Sequence, residues 1–475
     1  MTYEPKIIAF LCTWCSYTGA DSAGIARMKS PANVRAIRVP CSGRVAPEWI
    51  MRAFDQGADG VLVLGCHIGE CHYDSGNHRA AKRIPVLHEL MSYAGLEPER
   101  LRLDWVSASE GERFSQITTE FTETIRALGP IHWRVDDERR VVSRGQVGRP
   151  TNIQKPPSPS ITYPTERYQE LTLQIQNVAR NLLQSGDVEF VIGYEVGPRG
   201  RTRPVFIHKA DEVERLVWNQ NCTHNLSTYL TQKWGRPVPT ERKAQIDQPR
   251  VGVVVKACDS RSVNVMLTES RFTRDKVHLI GVVCDGIRQG ASFDTLEEGP
   301  LQTRCLACES RIPVLYDTLI GEIPADKTAQ PEAARELSSV KHLYGIDQLE
   351  AMTSAERMDF WLGQFDRCIR CYACRQVCPV CACPTCLYER DDSLWVGMGM
   401  GINEKRTFHL GRAYHLAGRC IGCDECTRVC PMDIPVGLLS HKMSEEIHER
   451  FGYRAGLQEA PPPFLTILDL QENQP

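Results

Sequence analysis

The most informative stretch of the sequence is Cys368-Ile-Arg-Cys371-Tyr-Ala-Cys374-Arg-Gln-Val-Cys378-Pro379. A second run of the same form follows it, Cys420-Ile-Gly-Cys423-Asp-Glu-Cys426-Thr-Arg-Val-Cys430-Pro431. Both runs read C-x2-C-x2-C-x3-C-P, the spacing that binds a [4Fe–4S] cluster through cysteine thiolates. Three thiolates spaced this closely wind a tight loop around one cluster, and the proline after the fourth cysteine ends the turn.

Two such runs in tandem are the signature of a two-cluster ferredoxin module, in which the fourth cysteine of each run binds the other cluster. We call the two predicted sites cube 1 and cube 2. Cube 1 takes Cys368, Cys371, Cys374 and Cys430, and cube 2 takes Cys420, Cys423, Cys426 and Cys378. Zinc ribbons or a disulfide knot are the alternative, but zinc sites usually draw four ligands from paired C-x2-C units.

Three further cysteines follow the first run directly, at Cys381, Cys383 and Cys386. Three thiolates alone do not complete a cube, so they either replace Cys378 as the distal ligand or bind a further metal with help from elsewhere. Cys381 is the preferred substitute, and the roles of the other two are left open.

The composition is typical of a globular protein, since 42% of the 475 residues are hydrophobic and 24% are charged. A chain this long is expected to form about two to four domains. The net charge of −3 favours neither nucleic acid nor an anionic membrane as partner. The 21 cysteines fall mostly in short clusters, which indicates reduced thiolates in a reducing compartment. Without a signal-peptide pattern or a run of about 18 apolar residues, we expect a cytoplasmic protein with no direct membrane insertion.

The N-terminal region, residues 1–145, alternates short apolar runs with amphipathic stretches, which predicts an open parallel sheet covered by helices. The predicted strands are residues 6–11, 34–39, 60–64 and 101–106. The predicted helices are residues 24–28, 48–56, 79–94 and 114–128.

Cysteines follow the first three of these strands, at Cys12, Cys41 and Cys66, and Cys15 and Cys71 lie a few residues further along two of the loops. The carboxyl ends of parallel strands form one rim of the sheet, so five thiols are expected to converge there. Pairing Cys12 with Cys15 and Cys66 with Cys71 suits a [2Fe–2S] cluster, which needs two thiolates on each iron. Cys41 is then a spare ligand or a small buried hydrophobic residue. Three histidines flank the second pair and are interpreted as capping or surface residues: His67, His72 and His78.

Three motifs in this region resemble the delta subunit of methyl-viologen-reducing hydrogenase. They are Phe10-Leu-Cys-Thr-Trp-Cys15, Arg38-Val-Pro-Cys41-Ser-Gly-Arg44 and Gly65-Cys-His-Ile-Gly-Glu-Cys-His-Tyr-Asp-Ser-Gly-Asn77. The resemblance covers about the first 145 residues. It implies a small iron–sulfur domain with one [2Fe–2S] cluster that links a hydrogenase or formate dehydrogenase to the flavin-bearing subunit of a heterodisulfide reductase.

Residues 146–165 are rich in Pro and Ser and are predicted to form a stiff interdomain linker. Residues 166–345 read as a second, mixed α/β region. Its predicted strands are residues 189–194, 250–255 and 276–283, and its predicted helices are residues 171–183, 225–233 and 333–344.

Five cysteines lie in this middle region, at Cys222, Cys258, Cys284, Cys305 and Cys308. Cys258 and Cys284 again follow predicted strands, and with the C-x2-C pair they predict a third [4Fe–4S] site, for which Cys222 is a spare or substitute ligand. A zinc site or a set of unrelated thiols is the alternative, because wide spacings are weaker evidence.

Two segments of the middle region, Lys256-Ala-Cys-Asp-Ser-Arg261 and Gly281-Val-Val-Cys-Asp-Gly286, resemble the iron–sulfur domain of the beta subunits of deazaflavin-coenzyme-reducing hydrogenases and formate dehydrogenases. That family binds FAD, but no G-x-G-x-x-G follows a strand here. Gly397-Met-Gly-Met-Gly401 is interpreted as a hairpin or loop, so FAD has no support from a motif and whether a flavin binds is left open.

The sequence therefore predicts an α/β protein with an N-terminal parallel sheet, a mixed α/β region, a ferredoxin-like module over residues 346–440 and a C-terminal tail over residues 441–475. The favoured function is an electron-transfer subunit between a hydrogenase or formate or other dehydrogenase and a flavin-containing heterodisulfide-reductase-like subunit. Whether that flavin subunit bifurcates electrons is left open, as is whether the chain is itself an enzyme. The alternatives are a flavin-containing beta subunit that oxidises or reduces a deazaflavin or nicotinamide, and a scaffold held by zinc.

Overall fold

The structure is a computed structural model. It describes residues 3–133, 153–158, 160–162, 164–233, 250–288, 298–308, 310–323, 340–381, 383, 386–390, 392 and 396–463.

The N-terminal unit is a four-stranded, all-parallel sheet with helices on both faces, which confirms the predicted open sheet. Its strands are β1 (Ile7–Cys12), β2 (Val34–Val39), β3 (Gly60–Gly65) and β4 (Leu101–Trp105). Its helices are α1 (Ser16–Ile25), α2 (Pro47–Asp55), α3 (Gly76–Tyr93) and α4 (Gly111–Leu128). The strand order is β2-β1-β3-β4, and β3 is buried along its whole length because both neighbours and both helical layers cover it.

One predicted helix of this unit, residues 24–28, is wrong. The helix begins directly after Cys15 and ends at Ile25, and its small residues give it little amphipathic pattern to recognise. Gly19 allows a close approach to the loop after β4, since a Cβ there would lie 2.8 Å from the carbonyl oxygen of Ser107. The helix is therefore set by backbone packing rather than by an apolar stripe.

The middle unit contains a five-stranded mixed sheet and a short two-stranded one. Its strands are β5 (Ser160–Thr162), β6 (Phe190–Val196), β7 (Thr202–Ile207), β8 (Val251–Val255), β9 (Val277–Val282), β10 (Glu298–Pro300) and β11 (Thr318–Ile320). Its helices are α5 (Thr165–Gln184), α6 (Thr228–Lys233), α7 (Ala257–Thr268) and α8 (Thr303–Leu306). The large sheet has the order β11-β9-β8-β6-β7, with only β7 antiparallel, and β5 pairs with β10.

The described part of the predicted linker is partly regular structure. Residues 146–152, 159 and 163 lie outside the described residues, whereas residues 160–162 form β5 and α5 begins at Thr165. Of the helix predicted over residues 333–344, only residues 340–344 fall in the described part, and they are helical.

The C-terminal unit is helical apart from its cysteine loops. Its helices are α9 (Val340–Tyr344), α10 (Ile346–Glu350), α11 (Ser354–Asp366), α12 (Ala373–Gln376), α13 (Ile402–Leu416), α14 (Glu425–Arg428) and α15 (Val436–Phe451). Helix α13 is buried on nearly every turn, because it lies between the cysteine loops and the N-terminal unit. Residues 397–400 form a loop, as predicted for the glycine-rich stretch.

The predicted C-terminal tail differs from the structure over its described part. Its start at residue 441 falls inside α15, and the segment after α15 packs on the rest of the chain. Arg261 Nε donates to the carbonyl oxygen of Ala455 at 3.1 Å, and Lys82 Nζ donates to that of Pro463 at 3.2 Å. Residues up to 463 therefore belong to the folded body, and the remainder of the predicted tail lies outside the described residues.

No helix in the described ranges combines the length and the apolar composition needed to cross a bilayer.

Candidate metal centres

The first centre is a group of five buried thiols at the carboxyl rim of the N-terminal sheet, and its members are Cys12, Cys15, Cys41, Cys66 and Cys71. The Sγ atoms of Cys12 and Cys66 lie 3.8 Å apart, and those of Cys41 and Cys71 lie 3.7 Å apart. The Sγ atoms of Cys12, Cys15 and Cys66 all lie within 4.8 Å of one another. The predicted convergence of all five thiols is therefore present in the structure, and Cys41 is a neighbour of the other thiols rather than an isolated core residue.

The contacts within this group cross the sheet as well as the loops. Cys12 contacts Cys66 in the loop after β3, with the Sγ atoms 3.8 Å apart, and Cys15 lies within 4.8 Å of both. Likewise, Cys71 contacts Cys41 from the loop after β2. Strand ends on a sheet rim are brought together across the sheet, so two neighbouring thiols can come from different strands. Which thiols share one metal stays a prediction.

The backbone around these thiols is held by buried polar side chains. Ser16 Oγ accepts from the backbone N–H of Cys12 and donates to the carbonyl oxygen of Leu64, both at 2.8 Å, and so ties the end of β1 to β3. Asn77 Nδ2 donates to the carbonyl oxygens of Cys66 and His67. These bonds fix the thiols before any ligand binds.

Gly76 leaves room for the thiols. A Cβ at this position would lie 2.0 Å from Cys41 Sγ and 3.0 Å from Cys71 Sγ, so any larger residue would displace them. Two of the three flanking histidines have other partners: His67 Nε2 is 2.7 Å from Glu110 Oε2, and the ring of His72 stacks on Trp14. The donor set is therefore made of sulfur alone, which suits iron–sulfur or zinc chemistry.

Contacts between the thiols shift the pKa values of Cys66 and Cys15 in opposite directions. Contact with Cys12 and Cys15 lowers the pKa of Cys66 to about 4. Contact with Cys12 and Cys66, together with burial, raises the pKa of Cys15. A thiol whose pKa is lowered, as that of Cys66 is, favours the thiolate form that binds metal.

The second centre is a cavity in the middle unit lined by Cys258, Cys284, Cys305 and Cys308. The same cavity is lined by Cys420, a predicted ligand of cube 2. Burial raises the pKa of Cys258 to about 12, so a bound metal would have to favour the thiolate. All four predicted ligands are thus brought together, directly against the ferredoxin-like module.

Cys222 lies outside this cavity. It is fully buried, and its Sγ lies 3.9 Å from the carbonyl oxygen of Val217 and accepts from the backbone N–H of Asn219 at 3.3 Å. The structure therefore places it in the core of the middle unit and not with the other four thiols.

Arg304 joins the second centre to cube 2. Its buried guanidinium is 3.0 Å from Glu425 Oε1 and donates to the carbonyl oxygens of Cys423 and Thr223. Because Arg304 precedes Cys305 on α8, these contacts fix one wall of the cavity to the loop that carries Cys423.

The third centre is the pair of cubes. The four predicted ligands of cube 1 line one cavity, and they are Cys368, Cys371, Cys374 and Cys430. For cube 2, the thiols of Cys423 and Cys426 interact electrostatically with that of Cys378 from the first run. The crosswise placement expected for the fourth cysteine of each run is therefore seen in the structure.

The two runs share an unusual backbone. Tyr372 and Asp424, each directly after the second cysteine of its run, adopt φ of 58° and 51°. One position before that cysteine, Arg370 has φ of 49° and Gly422 has φ of 72°. Non-glycine residues rarely adopt positive φ, and such residues concentrate at functional loops. Both loops thus have the same tight winding, although only one uses glycine.

The three additional thiols lie in different surroundings. Cys381 follows Cys378, and its backbone N–H donates to the Cys378 carbonyl oxygen at 3.3 Å. Cys386 packs with Cys368, Cys374 and Tyr388 in the apolar cluster around cube 1. Cys383 lies between them and is half-buried.

Residues 7–129 match the family described as methyl-viologen-reducing hydrogenase, delta subunit. An iron–sulfur subunit of the F420-non-reducing hydrogenase of Archaeoglobus profundus is 53% identical over 129 residues, which are 27% of this chain and 94% of that protein. The chain belongs to the methyl-viologen-reducing hydrogenase delta-subunit family. The resemblance expected from the three cysteine motifs is confirmed.

Further relatives of the delta-subunit region are subunits of two kinds of enzyme, a hydrogenase and a heterodisulfide reductase. The vhc iron–sulfur subunit of the F420-non-reducing hydrogenase of Methanococcus voltae is 48% identical over 128 residues, 27% of this chain and 89% of that protein. One subunit of the ferredoxin:CoB-CoM heterodisulfide reductase of Methanosarcina mazei is 52% identical over 127 residues, 27% of this chain but only 16% of that protein. The same domain therefore occurs alone and as part of longer chains.

Residues 364–434 match a 4Fe-4S dicluster domain, which confirms the two-cluster module predicted from the paired runs. The resemblance of the middle region to deazaflavin-enzyme beta subunits stays a prediction.

Sequence reasoning missed two residues of this dicluster domain, Arg412 and His409, which lie on α13 between the cysteine runs. Arg412 Nη2 donates to the carbonyl oxygen of Cys374 at 3.0 Å. Burial would lower the pKa of Arg412, but the thiols of Cys374, Cys426 and Cys378 outweigh it and raise that pKa. One buried cation therefore faces ligands of both cubes. A helix carrying Lys405, Arg406, His409 and Arg412 between metal-binding runs was the signal available in the sequence.

Proposed function

We propose that the chain is an iron–sulfur electron-transfer subunit that relays electrons between a hydrogenase or formate or other dehydrogenase and a flavin-containing, heterodisulfide-reductase-like subunit. The names of the relatives support both ends of this relay, since they are hydrogenase iron–sulfur subunits and a heterodisulfide reductase subunit. The observation that carries the proposal is the cavity shared by four middle-unit thiols and Cys420. It puts two candidate centres side by side.

The N-terminal thiols are proposed to hold a [2Fe–2S] cluster. Two thiolates on one tetrahedral metal, with bonds of about 2.3 Å, lie about 3.8 Å apart. The contacts at 3.8 Å between Cys12 and Cys66 and at 3.7 Å between Cys41 and Cys71 fit two thiolates on each of two irons. Cys15 is then the spare thiol of the five.

The middle cavity is proposed to hold a third [4Fe–4S] cluster on Cys258, Cys284, Cys305 and Cys308. In a cube each iron takes one cysteine, so the four thiols need not approach one another as closely as two on one metal do. Lys256 and Arg304 also line the cavity, where each is paired with a buried carboxylate, Asp259 and Glu425 respectively.

Such clusters, when bound, accept and donate one electron at a time. The part played by this chain is to hold the thiolates at fixed positions, to exclude water and to set the local charge. Arg304 holds Cys305 against the loop of cube 2, and Arg412 lies between the ligands of cube 2 and cube 1. Cys371, a proposed ligand of cube 1, is exposed. Cube 1 is therefore the proposed cluster that a partner protein can approach.

The partners are tested by an anaerobic pull-down of the tagged full-length chain from its native host. We expect a hydrogenase or dehydrogenase and a flavoprotein to co-purify with the tagged chain. Stable recovery of neither would contradict the relay.

Electron transfer is tested on that complex by stopped-flow absorbance of the flavin after the donor substrate is added. A Cys258→Ser and Cys284→Ser double variant is expected to slow flavin reduction at least tenfold. Cys222→Ala is the matched control, because it removes a buried thiol of the same unit outside the cavity. Equal rates in the double variant and the control would contradict the role of the middle centre.

The two alternative functions predict different results for the same purified protein. FAD or FMN released from the chain by acid would favour an enzyme acting on a deazaflavin or nicotinamide. A colourless protein that contains zinc and gives no EPR signal on reduction would favour a scaffold.

A further inference from the structure

His409 lies on α13 and is buried, with 3% of its surface exposed. It lines the cube 1 cavity together with the four cysteines of that site. Neither Nδ1 nor Nε2 has a hydrogen-bond partner among the residues that the structure describes. A buried polar group left without a partner costs about 1–3 kcal/mol, so such a group in a folded protein calls for a ligand or water that satisfies it.

The ring is held firmly by apolar neighbours. It stacks on Phe365 with the rings 4.9 Å apart and 7° from parallel, and the ring of Phe408 meets it at 5.0 Å. Because stacking occupies a face of the imidazole, its nitrogens are left at the ring edge. The position of the ring therefore depends on packing and not on any hydrogen bond to the residues that the structure describes.

The imidazole ring can act as a hydrogen-bond donor in either protonation state. A neutral imidazole carries one N–H donor and a protonated one carries two. The cavity it lines offers thiolate sulfur, and inorganic sulfide when a cluster is bound, as acceptors.

We propose that His409 donates its ring N–H to a sulfur of the cluster at cube 1 and thereby raises the reduction potential of that cluster. A hydrogen bond to sulfur stabilises the reduced cluster more than the oxidised one, because reduction adds negative charge to the sulfurs. His409 is thus a tuning residue and not a cluster ligand. The proposal rests on the ligand set of cube 1 given above.

A histidine near cube 2 shows the contrast. His441 lines the cavity that contains Cys420, but its Nε2 lies 2.7 Å from Asp424 Oδ1 and its ring stacks on Tyr344. Its hydrogen bond is already made within the protein. Of these two histidines in the described part of the chain, His409 is therefore the one with a ring donor available to a cube.

The first test is a redox titration of anaerobic full-length protein, monitored by EPR, with His409→Leu and His409→Gln beside the unsubstituted chain. In His409→Leu, one of the [4Fe–4S] transitions is expected to move to lower potential by about a tenfold change in the one-electron equilibrium, about 59 mV. The glutamine variant keeps an N–H donor and is expected to retain part of the shift. His342→Leu, which removes an exposed histidine paired with Asp347, is the matched control.

An unchanged potential in His409→Leu, at full iron content, would overturn the proposal. The second measurement needs no substitution: pulsed EPR of reduced protein labelled with ¹⁵N-histidine should show a coupled nitrogen and an exchangeable proton. Absence of that coupling overturns the proposal even if the leucine variant loses its iron. Complete absence of [4Fe–4S] signals from the unsubstituted protein would instead contradict the cube assignment itself.

Discussion

The N-terminal thiol site and the paired cubes gather cysteines in opposite ways. At the sheet rim, thiols 54 and 30 residues apart in sequence come within 3.8 and 3.7 Å of each other. In the dicluster domain the ligands are neighbours in sequence, yet among the described residues only Cys12, Cys15 and Cys66 form a group of three or more possible ligands within 4.8 Å. Crowded pairs suit two thiolates per metal, and separated thiols suit one per metal. This difference in spacing is the basis on which we propose a [2Fe–2S] cluster at the sheet rim.

The two regions also differ in what stabilises them without metal. The N-terminal sheet has its own apolar core between strands and helices, with Leu62 and Leu64 fully buried. The apolar cluster around cube 1 is small and includes Cys368 and Cys374 themselves. Helices α13 and α15 belong to the main apolar core, so dependence on metal is expected in the cysteine loops rather than in these helices.

Removal of iron by anaerobic chelation should therefore have the largest effect, and it should fall on the cysteine loops. Hydrogen exchange is expected to become fast in residues 368–378 and 420–430 but to stay slow in β1 and β3. Equal loss of protection in both regions would mean that the N-terminal unit also depends on its metal to fold.

The joint between the two regions is the buried pair of Arg406 and Asp55, whose Nη2 and Oδ1 atoms lie 2.7 Å apart. Among the described residues, Arg406→Met leaves Asp55 with two neutral donors, Trp133 Nε1 and Thr407 Oγ1. We expect the free energy of unfolding to fall by about 3–5 kcal/mol, as measured by urea titration of the anaerobic protein.

Arg113→Met is the control for that variant, because Arg113 is 44% exposed and its pair with Asp104 lies on the surface. It should lower the free energy of unfolding by no more than about 1 kcal/mol. Similar losses of unfolding free energy in Arg406→Met and Arg113→Met would contradict a special role for the buried pair of Arg406 and Asp55.

A substitution at the contact between the middle unit and cube 2 should lower the free energy of unfolding less than Arg406→Met does. Arg304→Met removes one cation from Glu425, but Arg428 Nη2 stays 2.6 Å from Glu425 Oε2. The expected loss is about 1.5–3 kcal/mol, as for hydrogen bonds to a charged group. The double variant Arg304→Met and Glu425→Gln should lose less than the sum of the two single variants. Strict additivity would show that the two side chains are not coupled.

The smallest effect is expected at the spare thiol of the crowded site. Cys66→Ser should lower iron by about two atoms of the roughly 14 expected per chain, whereas Cys15→Ser should leave the count unchanged. Iron and sulfide analysis of reconstituted protein separates these outcomes. Loss of two irons in Cys15→Ser, with none lost in Cys66→Ser, would reverse the pairing.

How much the sequence could predict depends on how each thiol is positioned. The dicluster domain was predictable from the local spacing of the two runs, and residues 364–434 match such a domain. Its ligand sets, including the exchange of Cys378 and Cys430, stay a prediction. The convergence of the five thiols at the sheet rim could be predicted by recognising strand ends. The contact between Cys12 and Cys66 could not, because it depends on how neighbouring strands place their loops. Arg304, His409 and Arg412 could not be assigned, because a buried charge or an unpaired imidazole is visible only when helices are packed.

Mössbauer spectroscopy of ⁵⁷Fe-reconstituted full-length protein is the sharpest test of the cluster assignment, because it counts irons by cluster type. We expect about one iron in seven in a [2Fe–2S] environment and the rest in [4Fe–4S] environments, from about 14 irons in total. A protein that takes up only about eight irons, all in [4Fe–4S] environments, would contradict both the crowded site and the middle centre.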